Sequence, residues 1–352
     1  MPLAWKDRAA IRAARAAARE RARALAADAA PGGGGGPVII DPDATIVIAH
    51  SQKDQACPAR KKTFGHHPMT GWAGHGQDGN GEPLAIVPRA GNAGPDTVAD
   101  HIEAAGLALA QLPRQPRRTA PARADSGGGT HEFLSWLTAK PRRLRYCAGM
   151  TVTEPVAEAI GKVPADGRAP AHDGDGQVRD GAWAADITGL PDTGGWPGGM
   201  RVIVRKQRPH PGARLRLTDV DGHRFTCFAT DATKGQLADL ELRHRQRARR
   251  EDRIRCANDT GLRNLPLKGF AQNQPWCELA ALACELLAWT QMPALAGAGR
   301  RPEPERLRLR IFSVAGRLAS SGRRLRLRLA GRWPRAREAT AAAARLQALP
   351  SG

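Results

Sequence analysis

The stretch "GPVIIDPDATIVIAH", residues 36–50, decides how this chain is read. Its Val, Ile and Thr residues predict a buried β-strand, yet two carboxylates, Asp41 and Asp43, stand inside it. Residues two apart on a strand point to the same face. A carboxylate taken out of water is costly unless a hydrogen-bond partner, an ion pair or a metal compensates it. The rest of the sequence must supply that compensation.

The chain has 352 residues and a formal net charge of +20, long enough for two or three domains and strongly basic. A charge excess of this size points to a polyanionic partner, nucleic acid first. Arg is much preferred to Lys, which suits forked binding of phosphate oxygens, although Ala, Gly and Pro are also abundant and a compositional bias can produce the same preference. Six cysteines at 57, 147, 227, 256, 277 and 284 form no CxxC pair, so no zinc ribbon or thioredoxin motif is expected. A reduced cytoplasmic chain is the expectation. No apolar run approaches the ~20 residues of a membrane span; "LAALACELLAW" is interrupted by Glu285.

Residues 4–29 predict an Ala/Arg helix, followed by a flexible "PGGGGGP" break at 31–37. The basic face of that helix suits DNA or solvent. Strands are expected in "VIIDPDATIVIAH" and "EPLAIVPR", and a helix from about Asp96 through "TVADHIEAAGLALAQL". A strand ending at Asp125 is poorly written, with Pro121, Ala122 and Ala124 where β-branched residues are usual. A glycine turn and a helix from Thr130 follow. Residues 145–230 alternate short apolar runs with turns, and "DVDGHR" (219–224) predicts a hairpin turn. One long helix is expected from Gly235, and another through "NQPWCELAALACELLAWTQ" with Pro275 in its first turn. "RLRLRIF" and "RRLRLRLA" alternate with period two and predict a terminal hairpin. The expected organisation is a basic helical arm (1–30), a linker (31–37), the first part of the main domain (38–144), a β-rich insertion (145–230), the second part of that domain (231–300), and a basic C-terminal hairpin and helix (301–352).

The acids at element ends are Asp41 or Asp43, Asp125 before its glycine turn, and Glu251 within "LRHRQRARREDRIR" (242–255). Carboxylates from three separate elements can hold two hard divalent ions, the arrangement that serves phosphoryl transfer. "DPDATIV", then "ADSGGGTHEFLSWL", then "LRHRQRARREDRIR" resemble the DDE transposases of bacterial insertion sequences. The match is to the family numbered thirteen-eighty, related to the family numbered four. "HPMTGWAGHG", "GEPLAIVPRAGNAG" and "GLRNLPLKGFAQNQPWCELAALACELLAW" carry the resemblance over nearly the whole chain. It implies an α/β, RNase H-like mixed sheet flanked by helices, with a β-rich insertion between the second Asp and the Glu. It also implies catalysis by Asp43, Asp125 and Glu251 on two Mg²⁺ ions, with Mn²⁺ able to substitute. The substrate would be double-stranded DNA at transposon ends and target, the assembly a homodimer, with no nucleotide cofactor.

Asp43 rather than Asp41 matches the first Asp, because Thr45 follows it at the family's spacing. The helical signature of that resemblance (aromatic, Arg, Glu, Lys) falls on His244, Arg247, Glu251 and Asn258. Arg247 and Glu251 are one turn apart on a helix, so Arg247 would hold a DNA phosphate, with His244, Asn258 and Arg255 as further DNA contacts. Three departures stand out: Asn258 replaces a Lys, His244 replaces a Tyr, and the strand before Asp125 is rich in Pro and Ala. The chain also begins later than family members, without the stretch expected to bind transposon ends, so a truncated or decaying copy is an expectation. The alternative is a non-catalytic DNA-binding remnant. A remoter one is a serine protease using His50, Asp96 or Asp100, and Ser126. A zinc site at His66, His67 and His75, and a phosphate cradle at Gly127–Gly129 without a P-loop Lys, are weaker than loop and turn readings.

Overall fold

The computed structural model describes all residues except 1–4, 34–35, 50–51, 61, 76–78, 210–211, 213–218, 220–221, 247–249 and 351–352; the side chains of 5, 6, 250 and 251 are likewise outside it. The opening stretch forms β1 (Ile40–Ala44) and a short β2 (Val47–Ile48). Next come β3 (Cys57–Ala59), β4 (Thr63–His66), β5 (Met69–Ala73) and β6 (Glu82–Val87), preceded by helix α1 (Trp5–Ala26). Helices α2 (Val98–Ala110) and α3 (Arg114–Thr119) lead to β7 (Ala122–Ala124), α4 (His131–Thr138) and β8 (Tyr146–Met150). After α5 (Glu154–Gly161) come β9 (Ala169–His172), β10 (Val178–Asp186), β11 (Arg201–Gln207) and β12 (Arg224–Thr230). Helices α6 (Leu237–Arg245), α7 (Arg250–Ala257), α8 (Phe270–Ala294) and α9 (Pro304–Leu307), the hairpin β13 (Gly316–Ser321) and β14 (Arg324–Leu329), and α10 (Ala336–Gln347) complete the chain.

Nine strands form one sheet in the order β6-β5-β1-β7-β8-β12-β11-β10-β9. The first three make an antiparallel meander, β1 with β5 and β5 with β6, extended by β7 and β8 parallel to β1. Parallel neighbours need crossover helices, and α2, α3 and α4 supply them. This is the RNase H-like arrangement the resemblance implies. The strands of the β-rich stretch do not form a separate sheet. β12 pairs with β8, and β11, β10 and β9 continue the same sheet outward.

Alternation along the strands assigns the two faces. Ile40, Ala122, Ala124, Tyr146, Ala148, Val202 and Val204 enter one core with Ala105 and Ala108 of α2, Phe133, Leu134 and Leu137 of α4, and Val156 and Ile160 of α5. On the opposite face Trp72 and Ile86 pack with Cys256 and Ala257 of α7 and with Cys277, Ala281 and Cys284 of α8. Further along, Cys147, Ile203 and Phe228 pack with Leu240 of α6.

Three expectations are corrected. The long helix expected from Gly235 is two described helices, α6 and α7, followed by a π-helical turn, Asn258–Leu262, in which Gly261 has φ 126°. "RLRLRIF" is not a strand: Pro304 opens α9, the helical backbone runs on to Phe312, and Leu307 is buried against Ala294, Leu295 and Ala342. The hairpin lies later, over β13 and β14. The basic face of α1 is not solvated: Arg15, Arg19 and Arg23 are buried. Arg15 binds Glu278 and Glu285, Arg19 binds Glu82 and Glu285, and Arg23 binds Glu82. The expected "ARLRLTDVDGHR" hairpin lies mostly outside the described residues.

Candidate active site

Asp41 answers half of the opening question. It is fully buried, and its carboxylate accepts two hydrogen bonds from Arg123, Nε at 2.6 Å and Nη2 at 2.8 Å, and a third from Arg253. Burial pushes the Asp41 carboxyl up, and the guanidinium groups of Arg123 and Arg253 outweigh it, so it is held below the usual carboxylate range. Arg123 also donates to the Arg243 carbonyl at 3.2 Å, at the end of α6. The same knot therefore fastens β1 to β7, to α6 and, through Arg253, to α7. Arg253 fits because Gly74 and Gly81 have no side chains; a Cβ on either would come within 2.9 Å of it.

Asp43 lies two residues further along β1, on the same face as Asp41 and nearer the strand's C-terminal end. It is 4% exposed, and its main-chain oxygen accepts from Thr70 Oγ1 at 2.7 Å. Asp125 directly follows β7. Ile40 pairs with Ala122 in the parallel register, and β7 ends at Ala124, so Asp125 stands just past the C-terminal end of the strand beside β1. The Asp125 Oδ1 accepts from the backbone N–H of Gly127 (3.1 Å) and Gly128 (3.3 Å), which fixes the turn after β7. Thr130 then caps α4 through its hydroxyl to the Phe133 N–H.

The glycine run is a packed turn. A Cβ on Gly127 would come 2.6 Å from the Pro95 carbonyl oxygen, one on Gly128 2.6 Å from the Ala124 Cβ, and one on Gly129 1.7 Å from the Gly149 carbonyl oxygen. His101 of α2 lies beneath this turn, with Nδ1 3.1 Å from the Thr97 carbonyl oxygen. Burial lowers its pKa more than the charge of Asp125 raises it, so the ring is neutral near pH 7. Sequence reading missed His101, Arg123 and Arg253; only the Asp41–Arg123 alternation within paired strands carried a signal.

The helical signature is placed as follows. The backbone of Glu251 is the second residue of α7, and its side chain lies outside the described part, as does the whole of Arg247. Arg253, two residues on, anchors that helix over the face bearing Asp41 and Asp43. His244 stacks on Phe228 (4.4 Å between centroids, 8° between planes), with Nδ1 3.1 Å from Cys147 Sγ. Asn258 opens the π-helical turn, half-buried. Arg255 pairs with Asp252 and Glu303. Among the described residues, no group of three or more His, Cys, Asp or Glu is gathered for a metal.

His66 and His67 are held by the carbonyls of Asp54 and Ala93, and His75 lies beside Glu82, so the three do not meet at one point. His50 lies outside the described residues, and Asp100 is paired with Arg89. None of the six cysteines is in a disulfide; burial pushes Cys227, Cys256 and Cys277 up to about 12, leaving them protonated at neutral pH.

A family model, Transposase DDE domain group 1, matches residues 5–351. The chain belongs to that family. In this DDE-domain chain no described helix is long and apolar enough to cross a membrane. Among solved structures it is similar to a piggyBac transposase in a synaptic complex with hairpin DNA, at 8% identity and a TM-score of 0.41, over 73% of this chain and 47% of that one. Among curated proteins there is no match. The DDE-domain chain therefore spans about half the length of that solved relative.

Proposed function

We propose that this chain is a transposase that cleaves phosphodiester bonds at the ends of an insertion sequence and transfers the strand into target DNA. Asp43, Asp125 and Glu251 would hold two Mg²⁺ ions, or Mn²⁺ in their place. The observation that supports this reading is that Asp43 on β1 and Asp125 directly after β7 come from two adjacent strands paired in parallel. Two hard oxygen donors at neighbouring positions at the C-terminal end of the sheet suit a divalent cation. When bound, such ions stabilise the charge of the attacking and leaving oxygens. The chain's own part is positioning: the Asp125 turn is packed by its glycines, and α7 is pinned by Arg253 to Asp41. Arg247, His244, Asn258 and Arg255 would line the DNA path in this reading, with a homodimer as the assembly.

The test is Mg²⁺-dependent cleavage of duplex DNA carrying the flanking inverted repeats. Asp125→Asn is expected to abolish cleavage and to leave duplex binding largely intact. Cleavage at the wild-type rate in that variant would overturn the assignment. The alternative, a DNA-binding remnant without chemistry, is favoured by Asn258 in place of the signature Lys. Salt-sensitive DNA binding by the wild type with no cleavage at any divalent-ion concentration would establish it.

A further inference from the structure

Residues 306–337 contain eleven arginines and no Asp or Glu. All eleven are exposed. This segment includes the two-stranded ribbon β13–β14, which pairs only with itself. Its turn, Gly322–Arg323, has positive φ at both residues (57° and 61°), the geometry that lets a two-residue loop follow the strand twist. The register puts Arg317 opposite Arg328, Ala319 opposite Arg326 and Ser321 opposite Arg324. Alternation therefore gathers Arg317, Arg324, Arg326 and Arg328 on one face, and Leu318, Leu325, Leu327 and Leu329 on the other.

Two physical facts make this arginine face unusual. Like charges directly opposite across a strand pair destabilise it, and Arg317 faces Arg328. An isolated two-stranded hairpin is also only marginally stable in water. Among the described residues no carboxylate forms an ion pair with any of these four arginines, whereas the arginines of α1 that face the fold are matched by Glu82, Glu278 and Glu285. The ribbon is held at its base instead: Ala330 N–H donates to the Ala315 carbonyl at 2.8 Å, and Trp333 Nε1 donates to the Arg310 carbonyl at 3.0 Å. A supported, acid-free and self-repelling cationic ribbon is complementary to a polyanion.

We infer that the arginine face of β13–β14 is a duplex-DNA contact, laid along the phosphates with the ribbon entering the major groove. That groove admits a two-stranded ribbon, and arginine is the side chain suited to phosphate. This rests on the reading of the chain as a DNA-acting protein, but it assigns contact to an element outside the carboxylate site and outside the helical signature. Arg255 of α7 pairs with Glu303 just before α9, which ties the segment leading to the ribbon to the helix that bears Glu251.

The test compares the full chain with R317Q/R324Q/R326Q/R328Q and with a charge-matched control, R21Q/R60Q/R114Q/R143Q, whose arginines are also exposed. Affinity for a short labelled duplex is followed across a salt titration. Loss of four phosphate contacts is expected to reduce the slope of log K against log salt by about 3 to 4, with the control close to wild type. A ribbon variant that matches either the wild type or an equally weakened control overturns the inference and leaves the carboxylate reading standing. A wild type without salt-dependent duplex binding, including one that binds only anionic lipid vesicles, overturns both.

Discussion

At the scale of single residues, the two acids of β1 have different partners although they share a strand face. Asp41 is surrounded by the guanidinium groups of Arg123 and Arg253, while Asp43, nearer the strand's C-terminal end, accepts from the Thr70 hydroxyl through its main-chain oxygen. Breaking a buried pair by removing one member leaves uncompensated charge, at a cost of about 3–5 kcal/mol. Asp41→Ala is therefore expected to lower unfolding free energy by about that much in urea titrations, because two buried arginines lose their counter-charge. A loss below about 1 kcal/mol would mean that the knot is not what fastens α7. At Asn258, the signature position that lacks its cation, Asn258→Lys is expected to tighten duplex binding. An affinity equal to wild type across the salt range would show that position 258 does not approach phosphate. The positions of Asp43 near the end of β1 and of Asp125 directly after β7 were legible, from the apolar run around the first and the glycine turn after the second. Arg123 and Arg253 were not, since their partner is fixed only once β1 and β7 pair and α7 lies across them.

At the scale of elements, α1 shows what a charge pattern can conceal. Arg8, Arg12, Arg15, Arg19 and Arg23 recur every three or four residues, so they form one stripe. That stripe meets Gln274, Glu278 and Glu285 on α8 and Glu82 on β6. Arg19 is 0% exposed, and its Nη1 donates to Gln111 Oε1 at 2.6 Å. Arg19→Ala is expected to destabilise the protein by several kcal/mol, about 3–5, and to expose α1 to limited proteolysis near the glycine linker. Unchanged protease resistance would contradict this. Nothing local distinguishes such a stripe from a solvated basic face, because the acids that neutralise it lie far along the chain. β7 illustrates the converse. Its Ala-rich sequence is a weak strand former, yet it lies between β1 and β8 with Ala122 and Ala124 buried in the core, and position overrides propensity.

At the scale of the whole molecule, the buried carboxylates set how the fold responds to acid. Burial raises the pKa of Glu82 and Asp41, but their arginine partners, with His75 beside Glu82, lower it by more, so both end below their ordinary values, Glu82 well below. A carboxyl whose pKa is depressed by folding contributes stability that is present above its unfolded value and lost as pH falls towards its folded value. Unfolding free energy is therefore expected to hold from neutrality to about pH 5 and to fall steeply below about pH 4. Equal stability at pH 3 and pH 7 would contradict the burial of these pairs. The sequence by itself determined the strand that bears Asp41 and Asp43, the Asp125 turn, the helices α2, α4 and α8, and the cationic excess. Each of these is written in local periodicity, turn residues or composition. Only the tertiary structure decided that the β-rich stretch extends the central sheet, that the arginines of α1 face inward, and that Asp41 serves as an anchor. Those outcomes depend on which distant groups meet in a low-dielectric interior, and an unpaired charge there costs too much for the fold to leave it alone.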